Sequence, residues 1–290
     1  MTRLFLALSV VIATVGSLHA QQPISLMLGR KIKEFDRYKY TTKQSDQQQM
    51  LTKLPSGKVL DSSSTRIVDM VAIVDVRTVT VDGEEREKVL EIRQFDVTTD
   101  GISHQYLPKG TKVNCVFSDS GSVFSIAGKP PADSVAAILN EVIHREGGEK
   151  TGRILGTTKP VKTGDKWSMN IPALLNTIDK RMVRIEKKNV KGSVELLAID
   201  TTEDRGVLAI VSGTAKATRV RPAGLDDLQL GDVHMSMAFT LTVPIDNRLP
   251  PAGSSSVVAM DIPARMKTPD GSTIQLQIRS IRKQESRFDR

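Results

Sequence analysis

The segment VHMSMAFTLTVPIDN, from Val233 to Asn247, alternates almost without a break. Val233, Met235, Met237, Phe239, Leu241, Val243 and Ile245 fall on one side, and His234, Ser236, Ala238, Thr240, Thr242 and Pro244 on the other. Period two sends successive side chains to opposite faces, so this segment predicts a strand with one dry face and one wet face. A strand of about thirteen residues spans about 43 Å, which is long for a sandwich and easier in a curved or barrel-like antiparallel sheet. The dry face could line a solid core, a cavity with an apolar guest, or an interface.

Most of the remaining text has the same character. IVDMVAIVDVRTVTVDGEEREKVLEIRQFDV predicts a hairpin whose turn is Asp82-Gly83, because β-branched residues fill both flanks and glycine tolerates the positive φ a tight turn needs. LPSGK, Thr99-Asp100-Gly101, Ser118-Asp119-Ser120-Gly121, Glu203-Asp204 and Pro269-Asp270-Gly271 read as further turns, and IDNRLPPAGSSS as a turn-rich connection. Pro244 and Pro263 lack a ladder donor and suit strand ends or edges.

Two stretches change period. In PPADSVAAILNEVIHREGG, Val135, Ile138, Leu139, Val142 and Ile143 have helical spacing, with Asp133 as N-cap and Gly147-Gly148 as stop, which predicts a helix of about four turns. TGRILGTTKPVKTGDKWSMNIPALLNTIDKRM predicts a strand, a turn and a shorter helix around Pro172 to Met182. No strand-helix-strand rhythm signals a parallel sheet. The expected fold is mainly β (α+β), a large curved antiparallel sheet or half-barrel of about 10–12 strands with two interposed helices.

The chain opens with Arg3, an apolar run from Leu4 to Val15, and Ala20 at the exit, the layout of a secretory signal peptide over residues 1–20. The run falls short of the roughly 20 apolar residues that span a bilayer. Residues 21–290 are then one β-rich domain, with long hairpins and one helix on either side of residues 150–165, as in two similar halves. The sole cysteine, Cys115, is not at the cleavage site, so the expectation is a periplasmic or secreted protein that is not a lipoprotein, with no membrane span after cleavage. One cysteine cannot form an internal disulfide, and Val113, Cys115 and Phe117 share a strand face, which predicts a buried thiol.

Net charge is +8, falling to +7 once Arg3 is removed, but the cations are interspersed with acids and aromatics make up 4% of residues. That pattern describes a solvated surface and argues against nucleic acid as a partner. His104, His144 and His234 lie in three separate segments, which makes a metal site unexpected. Glycine-rich phosphate loops and the serine elbow are missing, so no cofactor and no catalytic residue is assigned. The pairs Glu84-Glu85 and Asp226-Asp227 could serve a hydrolase, but both lie in turn-rich text and read as solvated loop charge.

In TGDKWSMNIPALL, residues Gly164, Asp165 and Trp167 form a Gly-Asp-x-Trp turn between long alternating strands. In this the chain resembles a family of uncharacterised exported bacterial β-rich proteins with that central turn. More distantly, the order of elements is similar to periplasmic carriers of lipids and lipoproteins, which implies a curved sheet closed by helices over an apolar cavity. The expected function is a non-enzymatic binding or carrier protein for an apolar, lipid-like molecule. Trp167, Met235, Met237, Phe239 and Leu241 are the candidate ligand contacts. The alternative is an envelope-associated structural protein with a filled core, whose partner is an envelope component.

Overall fold

Runs of alternating residues bury their apolar faces only by lying side by side, and here they do so in one sheet. The computed structural model describes residues 23–26, 28–29, 31–118, 121–148, 150–178, 183–203, 205–225, 227–246, 248–249 and 251–289. The expected signal peptide lies outside the described residues, as do Asp119, Ser120, Asp204 and Asp226 of the expected turns and acidic pairs.

In chain order the elements are β1 (Arg37–Lys53), β2 (Val59–Val79), β3 (Glu85–Thr99), β4 (Ile102–Gln105), β5 (Lys112–Ser118), β6 (Gly121–Ile126), α1 (Asp133–Val142), α2 (Lys150–Leu155), β7 (Lys166–Ser168), α3 (Ile171–Leu175), β8 (Val183–Arg184), β9 (Val190–Thr202), β10 (Gly206–Thr218), β11 (Arg221–Pro222), β12 (Gln229–Leu230), β13 (His234–Pro244), β14 (Gly253–Lys267) and β15 (Thr273–Asp289). The protein is mainly β, 61% strand and 9% helix, as expected, with one antiparallel sheet of 13 strands that is not closed. Its order is β6-β5-β3-β2-β1-β15-β14-β13-β10-β9-β7, with β4 and β12 attached at the side; β8 and β11 make a separate pair.

The first half meanders outward from β1 to β6, and the second returns from β7 at the opposite edge to β15. The two meet where β1 pairs β15 from Lys39↔Asp289 to Lys53↔Gln275. Apolar side chains of both halves lie on one face. Val68, Met70, Ala72, Val74, Leu90, Ile92, Phe95, Val113 and Cys115 pack with Ile138, Leu139 and Val142 of α1 in the first core. Val194, Leu196, Val211 and Val243 pack with Leu155 and Leu174 in the second. A third cluster, around Val190, Val220, Val233, Met235 and Ile262, continues it along the strands. The segment before β1 stitches the two halves: Leu26 and Leu28 are buried in the second core and Ile32 in the first.

The turns follow their chemistry. Gly83 has φ +76, and a Cβ there would stand 2.7 Å from Lys31 Cα, so glycine is required for conformation and for space. Cys115 is fully buried, and burial pushes its thiol up to about 12.

Several expectations are corrected. Among the described residues there are three α-helices rather than two, all short. Helix α1 ends at Val142, after less than three turns; its N-cap is Ala132, with no side-chain cap bond, and Asp133 is its first residue. Ile143 is already extended because Glu146 is captured by β3, where the Glu85 N–H donates to the Glu146 carbonyl (3.0 Å). The expected strand at TGRIL is α2. Helix α3 starts where expected, with Asn170 accepting from the Ala173 N–H (3.2 Å), but ends at Leu175. The Gly-Ser stretch read as connection is the start of β14, paired on both sides. Pro263 lies inside β14, just past the last pair with β13 (His234↔Asp261), where a missing donor interrupts no ladder on that side.

Candidate functional site

The covered face of the sheet changes character at its centre. Following the strand register, one row reads Phe95, Met70, Thr42, Ser286, Ser254, Leu241, Val211, Leu196. The next reads Val97, Val68, Gln44, Gln284, Ser256, Phe239, Gly213, Val194. Both rows are apolar at their ends and carry hydroxyls and amides where the N- and C-terminal strands meet. Small side chains here leave a polar seam between two apolar cores.

A groove of about 270 Å³ lies over this seam. Its floor holds Ser254, Ser256, Gln284 and Ser286, and its apolar wall is Ile154, Leu155, Leu174, Phe239 and Leu241, with Tyr40, His144, Glu146 and Thr151 completing it. A second groove, of about 240 Å³, adjoins it and shares Glu146, Thr151, Ile154, Leu241 and Ser254; Leu28, Arg145, Lys150 and Phe288 also line it. Each is somewhat smaller than the range of roughly 300–1,000 Å³ usual for small-molecule sites, and the mixed lining suits an amphiphile better than a hydrocarbon. Phe239 stands in the groove because β10 gives it room, since a Cβ built at Gly213 would overlap its ring.

Beneath the seam is a buried polar network. Tyr38 Oη donates to Glu85 Oε1 (2.6 Å), and Lys88 Nζ donates to Glu85 Oε2 (2.7 Å) and to the His144 carbonyl (2.9 Å). The Glu146 N–H also donates to Glu85 Oε2 (3.2 Å). Glu85 is 0% exposed and Lys88 3%. The reading of Glu84-Glu85 as solvated loop charge is therefore corrected: Glu85 is inside, and Glu84 pairs with Arg145 (3.0 Å). Lys88 stands 5.1 Å above the Phe117 ring. Burial alone would lower the Lys88 ammonium, but the Glu85 and Glu146 carboxylates outweigh it and hold it above its ordinary value. Burial, then Glu85, raises Tyr38 well above its usual range.

Tyr40 Oη donates to the Val142 carbonyl (2.9 Å) and lies 3.3 Å from Ser286 Oγ, which donates to Thr42 Oγ1 (3.1 Å). This ties the end of α1 to the seam. Farther along, Asp46 accepts from Arg282 (2.6 Å) and Arg66 (2.8 Å), and Arg66 also meets Glu141 of α1. Burial pushes the Asp46 carboxyl up, but the two guanidiniums prevail and hold it below its ordinary value.

Of the five candidate contacts, Phe239 and Leu241 line the groove. Met235 is buried in the third cluster, and Met237 packs between the second and third. Trp167 is half-buried at the edge strand β7, and its indole N–H donates to the carbonyl of Leu155 (2.7 Å) at the end of α2. It touches the groove through Leu155, which is itself a wall residue. The polar residues of the seam and Glu146 were not foreseen. Ser and Gln at core-facing positions of β1, β14 and β15 were the available signal.

Among the described residues no group of three or more metal-ligating side chains converges, and no helix is long and apolar enough to cross a membrane. No family model and no curated protein matches the chain. Among solved structures, the outer membrane channel DcaP of Acinetobacter baumannii aligns over 89% of this chain and 99% of that one, at 8% identity and a TM-score of 0.14. That score is too low to relate the two folds.

Proposed function

We propose that this is an exported, non-enzymatic binding or carrier protein that holds an apolar, lipid-like molecule in the seam groove. The observation that supports it is a half-open cavity with an apolar wall of Phe239, Leu241, Ile154, Leu155 and Leu174 over a floor of uncharged polar groups. Such a lining accepts a hydrocarbon body on one side and a polar group on the other. The resemblance to exported β-proteins with a Gly-Asp-x-Trp turn, and the more distant one to periplasmic lipid carriers, agree with this reading. Export predicts that chain recovered from cells begins at Gln21, which N-terminal sequencing reads directly.

The binding test is native mass spectrometry of gently purified protein, followed by solvent extraction. A co-purifying apolar molecule that is lost on Phe239→Glu, in a variant whose circular dichroism is unchanged, supports the carrier. Bare protein with no affinity for added fatty acids, acylglycerols or alkylamines removes it. A second reading, contact with an envelope partner, is favoured by the exposed apolar residues Met50, Val59 and Leu60 at one end of β1 and β2, with Met266 of β14.

A further inference from the structure

Resting on the groove reading above, we infer that its occupant carries a protonated amine or similar cationic donor, and that Glu146 is the residue that anchors it. In the layer below the grooves, Glu85 is matched by Lys88 and Glu84 by Arg145. Among the described residues Glu146 is the carboxylate left over. It is half-buried and lines both grooves at the point they share. Its backbone is committed to Glu85 on both sides, yet among the described residues no donor bonds its carboxylate.

The groups around Glu146 do not supply that partner. From β1 come the phenols of Tyr38 and Tyr40, both raised and neutral. From β3 come Glu85, which repels it, and Lys88, which Glu85 already holds. In its own segment, Arg145 is taken by Glu84, and the exposed His144 ring lies against the Gln284 amide (3.3 Å). Lys150 of α2 is exposed at the outer groove. Apart from His144 and Glu146, the described residues that line the first groove supply hydroxyls, amides and apolar carbons, and none of them is a lysine or arginine. Burial, with Glu85 adding to it and Lys88 opposing, pushes the Glu146 carboxyl up to about 7. A carboxylate half removed from water and without a donor from the described residues suits an entering ammonium, which supplies charge and hydrogen bond together.

The pH dependence has a definite sign. Above about 7 the carboxylate is ionised and attracts the cation; below it the proton competes, so a cation binds more weakly. An anionic amphiphile should show the opposite slope, and a neutral one little slope.

The test uses three probes with one tail and different heads: laurylamine, monolaurin and laurate, each below its micelle concentration. Trp167 is the chain's one tryptophan and is bonded to the wall residue Leu155, so its fluorescence reports occupancy. At about pH 8 laurylamine should bind at least about tenfold tighter than monolaurin, and that preference should shrink toward about pH 5.5. Glu146→Gln should abolish the preference, so that laurylamine and monolaurin bind alike and the slope with pH disappears. Equal affinities, a laurate preference, or an amine preference that survives in Glu146→Gln would overturn the assignment and leave the groove reading standing. If none of the three binds, by fluorescence or by calorimetry, the groove reading itself fails. Should Glu146→Gln not fold, the slope with pH of the unmodified protein still decides between cation and anion.

Discussion

Lys88 and Glu85 show how much one side chain can carry when both are out of water. Glu85 accepts from Tyr38, Lys88 and the Glu146 N–H, so it is the knot that holds the segment after α1 against β3. Removing only the cation strands a buried carboxylate. Lys88→Met should therefore cost about 3–5 kcal/mol in urea denaturation, and adding Glu85→Gln should restore a large part of it. A cost of a few tenths would mean that water reaches the pair. At this scale the sequence was partly legible. Phe239 and Leu241 declare themselves because alternation fixes their face, and Cys115 because its strand neighbours Val113 and Phe117 are apolar. Glu85 and Glu146 do not, since what buries them is sixty residues away along the chain, roughly the span of a whole meander.

Among the elements, the strands were easiest to read and the helices hardest. VKGSVELLAIDTT is β9 as it stands, since Val190, Val194, Ile199, Thr201 and Thr202 favour a strand and turns flank it. Helix α2 is too short to display a helical period, so TGRIL passed for a strand. Helix α1 stops early through a long-range capture that no local residue announces. The start of β14 reads as a loop because Gly and Ser favour turns, yet here their small size makes the floor of the groove. Strand β2 is two elements in one. From Val59 to Thr65 it is exposed or nearly so and has only β1 beside it, whereas from Val68 to Val76 alternate residues are fully buried between β1 and β3. Hydrogen exchange should divide it accordingly, with outward amides of the first part at least about a hundredfold faster than those around Met70 and Val74. Uniform protection along β2 would show that the exposed end is covered by something else.

At the level of the whole molecule, the two halves join through β1 with β15 and through the segment that puts Leu28 in one core and Ile32 in the other. Neither junction was visible in the text, because strand order is set by pairings between the two ends of the chain. Ending the chain at Gly271 should split the sheet at its centre. Urea unfolding of that variant is expected to lose its single transition and to shift to a lower midpoint; an unchanged transition would mean that β14 can pair β1 directly. The same junction bears on how the sheet assembles. Strand β15, which follows β1 to β14 in chain order, is also the middle strand of the sheet. Until it arrives, β1 and β14 are both raw edges, long and ready to pair with a neighbouring chain. A molecule whose other strands have formed is thus at its most adhesive just before β15 docks, and whatever shelters it has to remain in place until that strand is seated.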